Sequence, residues 1–288
     1  NKVLSISSDC INIPNIKNRG CNCDVLIAGD FRMNIAQDDI AQNVAQFTAD
    51  KKSWSSLGSG DEFVSPARAI YKRQETSISD ATDYIWVGGD FGLKAYRPSS
   101  GEWTTITQGN VVVNSLAYIV IPLFWKTDTL LIAGSFSFAC EDGKTCNNVA
   151  SYDRKTKKFA AVGTADTPSG IVHTIDVTRG DIYIGGDFSG PTYSYVTYLP
   201  DGQSRYATIN GASSAVKLPV RYMKVCGYSD PGCPRGSMAI TGRDQFSSSY
   251  LAFYNRNTGD FLPFGNSTTI NGIVNTVEFA VTAGANTA

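Results

Sequence analysis

One short hydrophobic phrase returns along the chain and divides it into modules. Each copy is a run of apolar or small residues that reaches a glycine, and in four copies an aspartate or serine and then a phenylalanine follow. The copies lie at residues 25–31, 85–91, 130–136, 182–188 and, in a weaker form, 237–243. Their aligned glycines are 60, 45, 52 and 56 residues apart, close to the period of about 50 residues in kelch-like propeller blades. The pattern predicts five modules.

Aromatic residues predict two further strands in each module. A strand that ends in an aromatic residue follows the phrase, and a second aromatic residue lies seven positions later. The pairs with this spacing are Phe47 and Trp54, Tyr96 and Trp103, Tyr152 and Phe159, and Tyr254 and Phe261. Turn-forming residues between the members of a pair are typical of hairpins. In the fourth module Tyr198 and Tyr206 are eight positions apart, which we interpret as a one-residue bulge or a longer turn.

A fourth β-rich stretch precedes the phrase in the later modules, at residues 64–71, 111–120, 171–177 and 216–225. Four strands repeated at this period are the β-propeller pattern. We therefore predict an all-β fold, a β-propeller of four-stranded antiparallel blades with five modules. A two-domain α/β fold is disfavoured because almost no segment has helical spacing of apolar residues. The best helical candidate, residues 38–48, is more easily a loop that leads into a strand at 43–47.

The predicted domain is a single β-propeller over residues 1–288. Residues 273–281 resemble the first strand of a partial sixth blade. Two interpretations are open. Residues 2–7 and this tail share a closing blade, or the 288 residues are the ordered part or a fragment of a longer chain.

The repeated motif has a structural interpretation. Glycine has no Cβ and lets a neighbouring backbone come close, the acid or serine can accept hydrogen bonds from turn amides, and phenylalanine fills the space between blades. The motif residues are Gly29, Asp30, Gly89, Asp90, Gly134, Gly186 and Asp187. A ring of the three aspartates around a cation is the weaker alternative, because repetition alone produces acids at matching positions. We predict no metal and no cofactor.

Composition excludes two classes of partner. Charged residues make up 18% of the chain, and 25 basic against 26 acidic residues give a net charge of -1. Such a chain has no general field for a nucleic-acid backbone. The longest apolar stretch, residues 111–125, is interrupted by polar residues and falls short of the 18 or so that a membrane helix requires. We predict no nucleic-acid partner and no membrane span in this chain.

Cysteine spacing and one sequon favour an extracellular compartment. Cys140 and Cys146, and likewise Cys226 and Cys233, lie close together in loop-like sequence, which favours disulfides over a zinc site. The remaining cysteines are Cys10, Cys21 and Cys23, of which one is left over. We predict that Cys10 and Cys21 also form disulfides. Asn266 begins a glycosylation sequon.

Candidate catalytic residues are few. His173 is the single histidine, and strand alternation predicts that it and Asp176 lie on opposite faces, which disfavours a Ser-His-Asp relay. Carboxylates for glycoside hydrolysis could come from Asp30, Asp90, Asp187 and Glu278. Tyr193, Tyr195 and Tyr198 could stack on sugars, although cross-strand packing is the more common role of such residues. We predict no catalytic residue.

The modules resemble the kelch-like repeats of the fungal cortical marker of cell polarity family, of the Rax type. The resemblance rests on the phrase at 132–136 with Asn-Val-Ala-Ser-Tyr-Asp at 148–153, and on 27–31 with Asn-Val-Ala-Gln-Phe at 43–47 and Trp-Ser-Ser-Leu-Gly at 54–58. It covers nearly the whole chain. The resemblance implies a secreted or membrane-anchored ectodomain that acts by interaction and has no known catalytic residues.

These observations predict a non-enzymatic, secreted or cell-surface β-propeller that serves as a structural or adhesion platform. Its expected partner is an extracellular protein, a cell-wall or matrix glycan, or another copy of the chain. The alternative is a carbohydrate-active propeller that binds or hydrolyses glycans with acidic residues near its axis.

Overall fold

The computed structural model describes most of the chain, which divides into two compact units. The described residues are 2–11, 22–36, 39–58, 62–72, 84–107, 109–119, 129–163, 167–226, 234, 236–243 and 249–263. The units are Asn1–Leu116 and Ala117–Ala288, and the division falls within the strand Val112–Tyr118. A single domain over residues 1–288 stays a prediction.

Two antiparallel sheets of four strands form in the first unit. The first sheet contains β1 (Lys2–Ile11), β2 (Asn22–Ala36), β3 (Asp39–Thr48) and β4 (Ser53–Ser56). The second contains β5 (Ala67–Lys72), β6 (Ile85–Gly89), β7 (Gly92–Arg97) and β8 (Glu102–Thr105). Strands that are consecutive in sequence are neighbours in each sheet, as the hairpin pattern predicts. Of the segment at 38–48 that had the best helical spacing, residues 39–48 are strand β3, so the strand begins earlier than the expected residue 43.

Three further sheets follow along the chain. The third contains β9 (Val112–Tyr118), β10 (Thr129–Ala139), β11 (Thr145–Asp153) and β12 (Lys158–Ala161). The fourth contains β13 (Ser169–Thr178), β14 (Asp181–Ser189) and β15 (Ser194–Leu199), and a helical turn α1 (Ala212–Ala215) follows it. The fifth contains β16 (Val220–Val225), β17 (Met238–Arg243), β18 (Ser249–Asn255) and β19 (Asp260–Pro263). The described structure is therefore all-β apart from one turn of helix.

Aromatic residues seven positions apart lie directly opposite each other on the third and fourth strands. The register pairs are Phe47 with Trp54, Tyr96 with Trp103, Tyr152 with Phe159, and Tyr254 with Phe261. Their ring centroids are 5.4, 5.0, 4.9 and 4.9 Å apart in that order, which is the range of favourable aromatic contact. The spacing in the sequence correctly predicted these four hairpins.

The fourth module keeps the same register with a leucine in the first aromatic position. Its Ile182 pairs with Leu199, as Leu130 pairs with Tyr152 in the third module. The bridge between Tyr198 and Ala207 continues this register and would set Tyr206 opposite Leu199. Interpreting the interval from Tyr198 as a bulge or a longer turn was wrong, because Tyr198 lies one position before the repeat position and so faces the other side of the sheet.

The fourth sheet also has three strands instead of the predicted four. Its fourth strand is reduced to the bridge at Ala207, where Thr197 Oγ1 donates to the Ala207 carbonyl at 2.7 Å. The chain then leaves the sheet, because Thr208 Oγ1 donates to the Thr192 carbonyl at 3.0 Å and Ile209 is buried against the fifth sheet. These contacts end the strand after one pair.

Apolar side chains join neighbouring sheets within each unit. In the first unit, Leu26 and Val44 of the first sheet are buried with Ile70 and Val87 of the second. In the second unit, one buried cluster joins the third and fourth sheets and another joins the fourth and fifth. Each large side chain that is fully buried contributes about 1.5–3 kcal/mol. Stacked sheets with apolar contacts between them are what the repeat predicts.

Candidate functional site

The first strands of four sheets share a one-residue bulge next to the motif glycine. The strand residue opposite that glycine is followed by an extra residue before regular pairing resumes. The extra residues, which we call the bulge positions, are Leu4, Arg68, His173 and Arg221. Bulges redirect side chains and are common beside functional sites. Three of these four positions carry a basic or titratable side chain.

The motif glycine is required where the first strand passes. A Cβ placed on Gly29 would overlap the carbonyl oxygen of Lys2, and one on Gly186 would overlap the carbonyl oxygen of Ile171. Both carbonyls belong to the first strand of the same sheet, so any larger residue would push that strand away. Gly89 is constrained in the same way by Pro66, and Gly134 is buried. Close approach of the backbone therefore explains why glycine occupies these positions, without any role for a ligand.

The motif aspartates face solvent. Asp30, Asp90 and Asp187 are all exposed at the residue after the motif glycine. Asp90 accepts from Arg68 at the bulge position, with Oδ1 2.6 Å from Nε and Oδ2 3.3 Å from Nη2. The described partner of Asp90 is thus a side chain rather than a turn amide. Because both groups are exposed, the pair contributes about 0–1 kcal/mol and stays available to a partner.

His173 and Arg221 meet in the second unit. They occupy the bulge positions of β13 and β16, the first strands of adjacent sheets, and His173 Nε2 contacts an Arg221 guanidinium nitrogen. Both side chains are half-buried. The contact brings two basic side chains together beside the motif of the fourth module. The sequence placed His173 in an ordinary strand and missed this contact, although both residues follow the same valine position in their strands.

Asp176 does not complete a catalytic relay with His173. Its Oδ1 accepts from the Val177 amide at 2.8 Å and its Oδ2 from the Val225 amide at 2.9 Å. Both His173 and Asp176 contact β16, so the predicted placement on opposite faces was wrong, since the bulge at His173 interrupts strand alternation. Their partners Arg221 and Val225 are four residues apart, or about 13 Å along a strand. Asp176 joins two sheets and supports no relay.

In two modules an asparagine links the repeated motif to the segment that leads into the next module. Asn43 and Asn148 have left-handed backbones, with φ of 66° and 59°. Asn43 Oδ1 accepts from the Phe31 amide at 3.0 Å, and its Nδ2 donates to the carbonyls of Phe63 and Ser65 at 3.1 and 2.9 Å.

Asn148 repeats the arrangement in the second unit. Its Oδ1 accepts from the Phe136 amide at 3.2 Å and its Nδ2 donates to the Pro168 carbonyl at 3.1 Å. In both cases the amide side chain ties the motif to the segment that enters the next sheet. Sequence reasoning missed this role, although the shared Asn-Val-Ala phrase was its signal.

The tyrosines suggested for sugar stacking mostly pack inside the protein. Tyr193 is 4% exposed and lies against Phe188 and Tyr206. Tyr198 stacks on Tyr183, with ring centroids 5.3 Å apart and planes inclined by 16°. Tyr195 is partly buried against the cluster that joins the fourth and fifth sheets. Packing is therefore the role that the structure shows for these rings.

Burial keeps several phenols protonated. Desolvation raises the pKa of Tyr183, Tyr206 and Tyr250 well above the usual value of about 10. The Tyr206 hydroxyl donates to the Val162 carbonyl at 3.1 Å and the Tyr250 hydroxyl to the Leu218 carbonyl at 3.0 Å. Groups that are neutral and bonded in this way do not serve as acids or bases near neutral pH.

Cys140 and Cys146 form a disulfide across the β10–β11 hairpin. Cys226 is also disulfide-bonded, and Cys233 lies outside the described residues, as do Cys21 and Asn266. The backbone register of β1 and β2 sets Cys10 opposite Cys23. The backbone thus offers Cys23, rather than Cys21, as the cross-strand neighbour of Cys10.

Neither a metal-binding cluster nor a membrane-spanning helix is present among the described residues. Within the described ranges, no three or more His, Cys, Asp or Glu side chains cluster as a metal site would require. In the same part of the chain, no helix has the length and hydropathy of a membrane-spanning segment.

Comparison with solved structures supports the fold. The chain resembles proteins of the β-propeller type, including the extracellular domain of BT4673 from B. thetaiotaomicron, with 17% identity and a TM-score of 0.51. A chain of the Mitotic Checkpoint Complex matches with 16% identity and a TM-score of 0.50. A chain of a humanized mutant of the Chaetomium thermophilum Polycomb Repressive Complex 2, bound to the inhibitor GSK126, matches with 10% identity and a TM-score of 0.50.

The likeness covers most of this chain and less of the others. The matches span 82%, 83% and 87% of this chain and 28%, 59% and 49% of those chains, in the same order. No family model matches the sequence, and no curated protein matches it. At these identities the comparison establishes a β-propeller-like fold and leaves activity to be argued from the residues.

Proposed function

We propose that the chain is a five-module β-propeller that acts as a non-enzymatic interaction platform. The observation that carries this proposal is the set of polar side chains beside the repeated motif. They are Arg68, Asp30 and Asp90 in the first unit, and Asp187, His173 and Arg221 in the second. Side chains on or directly beside rigid strands are well placed to bind a partner without loss of much conformational freedom.

The chemistry of the described residues favours binding over catalysis. Asp176 uses both carboxylate oxygens in hydrogen bonds to backbone amides, and the buried tyrosines stay neutral. Asp90 is held by Arg68. The described partners of these residues therefore do not form an acid–base pair for catalysis. An extracellular protein, a cell-wall or matrix glycan, or a second copy of the chain is the proposed class of partner.

A secreted or cell-surface location is part of the proposal. The Cys140–Cys146 disulfide and the disulfide-bonded Cys226 support it, because disulfides persist in oxidising compartments. The test is the intact mass of natively purified protein before and after thiol alkylation and enzymatic deglycosylation. We expect no alkylation at Cys140, Cys146 or Cys226 and a mass loss on deglycosylation at Asn266. Seven alkylated thiols and an unmodified mass near 31.0 kDa would contradict the location.

We also propose membership of the fungal cortical marker of cell polarity family. The Asn-x-Ala-x-aromatic phrase supports this, since Asn43 and Asn148 have the same backbone conformation and the same type of link. Residue-level exchange is the test. Transplanting the segment 43–48 onto 148–153 should preserve folding and the melting temperature within a few degrees, as expected of equivalent family positions. Loss of folding would argue against a shared repeat.

A carbohydrate-active propeller is the second candidate. The exposed Asp30 and Asp90, at equivalent motif positions of the first unit, favour it, because glycosidases need paired carboxylates. We would incubate wild-type protein and the variants Asp30→Asn, Asp90→Asn and Asp187→Asn with a panel of polysaccharides and measure reducing ends. We expect no release by any of them and melting temperatures close to wild type. Hydrolysis by wild type that is lost in a well-folded variant would replace the platform by an enzyme.

A further inference from the structure

The outer strand of the third sheet has backbone groups that point away from the sheet. β12 is the last strand of that sheet, so one side of its backbone has no neighbouring strand among the described residues. Phe159 and Ala161 project their amides to this outer side, since their described hydrogen bonds go to a loop and not to β11. An open edge of this kind is a template for pairing with a strand of another molecule.

The loop between Cys140 and Cys146 covers those groups. The Glu141 amide donates to the Phe159 carbonyl at 3.2 Å, and Glu141 Oε2 accepts from the Phe159 amide at 2.7 Å. Asp142 Oδ2 accepts from the Ala161 amide at 3.3 Å. Glu141 thereby takes the place that a fifth strand would occupy at Phe159.

The disulfide holds the loop over the edge. Its sulfur atoms join the two ends of the loop, and the two cysteines are 6% and 0% exposed. Inside the loop the Cys140 amide donates to the Lys144 carbonyl at 2.8 Å, and the Lys144 amide donates to Asp142 Oδ1 at 3.1 Å. Because both cysteines are buried, the disulfide is shielded from reductants in solution.

We propose that the Cys140–Cys146 loop is an edge cap that prevents β12 from pairing with β12 of a second copy of the chain. A second copy is the partner because two identical edges can pair antiparallel around a two-fold axis, each contributing Phe159 and Ala161. Within the described residues, β4 and β8 have no comparable loop on their outer backbone groups. Among the residues that the structure describes, the third sheet is thus protected in a way that the sheets of the first unit are not.

The test compares self-association of three forms of the full chain. The first is wild type. The second is Glu141→Ala/Asp142→Ala, which removes the covering carboxylates and keeps the disulfide. The third is Glu102→Ala/Asp260→Ala, which removes two exposed acids from other outer strands and controls for the lost negative charge. Sedimentation velocity over a hundredfold range of concentration gives the dimer fraction, and hydrogen exchange reports the amides of Phe159 and Ala161.

We expect the Glu141/Asp142 variant to dimerise more strongly than wild type, and the Glu102/Asp260 control to behave like wild type. In dilute solutions of the Glu141/Asp142 variant, the amides of Phe159 and Ala161 should exchange roughly tenfold faster than in wild type, because each loses a hydrogen bond to a charged acceptor. At high concentration they should regain protection. Cys140→Ser/Cys146→Ser is a second variant that frees the loop while keeping its carboxylates, and it should dimerise too. The proposal is overturned if neither variant dimerises more than the control, or if dimers form while both amides remain as fast as in dilute protein.

Discussion

The third and fourth modules share a strand register and differ at the side chains that occupy it. In the third module Tyr152 lies opposite Phe159, and Asn148 adopts a left-handed backbone. In the fourth module Leu199 occupies the first aromatic position, and Tyr195 occupies the left-handed position with φ of 64°. The third sheet has four strands, and the fourth has three and a single bridge.

The difference shows which residues are needed for the register and which for the last strand. Pairing between the second and third strands is retained without the aromatic pair, since apolar residues such as Ile182 and Leu199 suffice. Tyr206, which lacks an aromatic partner across the hairpin, donates its hydroxyl to Val162 in the third module. The aromatic pair therefore stabilises the fourth strand, while the motif and its apolar neighbours set the alignment.

The largest expected effect comes from removing one ring, Phe159, from the aromatic pair of the third module. Phe159→Ala should lower the free energy of unfolding by about 3–5 kcal/mol, because a buried ring is lost and a cavity remains beside Tyr152. Urea unfolding followed by circular dichroism measures it. Lys158→Ala, at the exposed neighbouring position, is the control and should change stability by less than about 0.5 kcal/mol. Equal effects for the two would show that the pair does not stabilise the strand.

A smaller effect is expected from the asparagine that the fourth module lacks. Asn148→Ala should cost about 2–3 kcal/mol, because the Phe136 amide and the Pro168 carbonyl lose their partner and alanine tolerates a left-handed backbone poorly. Asn148→Gly should recover about 1 kcal/mol of this loss, since glycine removes the backbone strain alone. Asn147→Ala is the matched control in the same strand. If Asn148→Gly were as stable as wild type, the side-chain link would have no energetic role.

The smallest effect concerns Tyr206 and changes sign with pH. At pH 7, Tyr206→Phe should cost about 1 kcal/mol because the Val162 carbonyl loses its donor. Burial raises the pKa of Tyr206 in the folded state, so the stability that the protonated phenol provides is complete below the unfolded pKa of about 10 and is lost above it. The phenylalanine variant lacks this loss, which is about 1.4 kcal/mol per pH unit for one group. Urea titrations at pH 7, 10 and 11 should therefore show the two proteins becoming equally stable between pH 10 and 11, with the phenylalanine variant slightly more stable at pH 11. A constant difference across these pH values would contradict the assignment.

Much of the fold could be predicted because each repeat has a regular spacing of aromatic and glycine residues over a short stretch of sequence. The aromatic residues seven positions apart predicted four hairpins, and the glycine phrase predicted the central strand of every sheet. In the fourth module the sequence pattern placed Tyr198 at the repeat position. Tyr198 lies one position earlier, so its side chain is on the opposite face of the sheet. A single sequence of alternating apolar residues does not distinguish these two placements.

The candidate site was harder to predict than the strands. The exposed motif aspartates could be found from repetition, but the pairing of Asp90 with Arg68 and of His173 with Arg221 depends on a bulge in each first strand. A bulge adds one residue, so every later side chain lies on the face opposite to the one that strict alternation predicts. No residue type is shared by all the bulge positions of these strands that would predict a bulge. The bonds from Glu141 and Asp142 to β12 likewise join a loop to a strand about 18 residues away.

The sequence by itself determined the repeated motif of the five described sheets, the order of their strands and the pairing of the aromatic residues. These properties depend on contacts between residues close in the chain, where side-chain period and turn chemistry act directly. Tertiary structure decided the roles of Asn43 and Asn148, the loss of the fourth strand at Ala207 and the cover over β12. Each of these depends on which backbone groups a neighbouring sheet or loop leaves without a partner, and that is settled only when the sheets pack together.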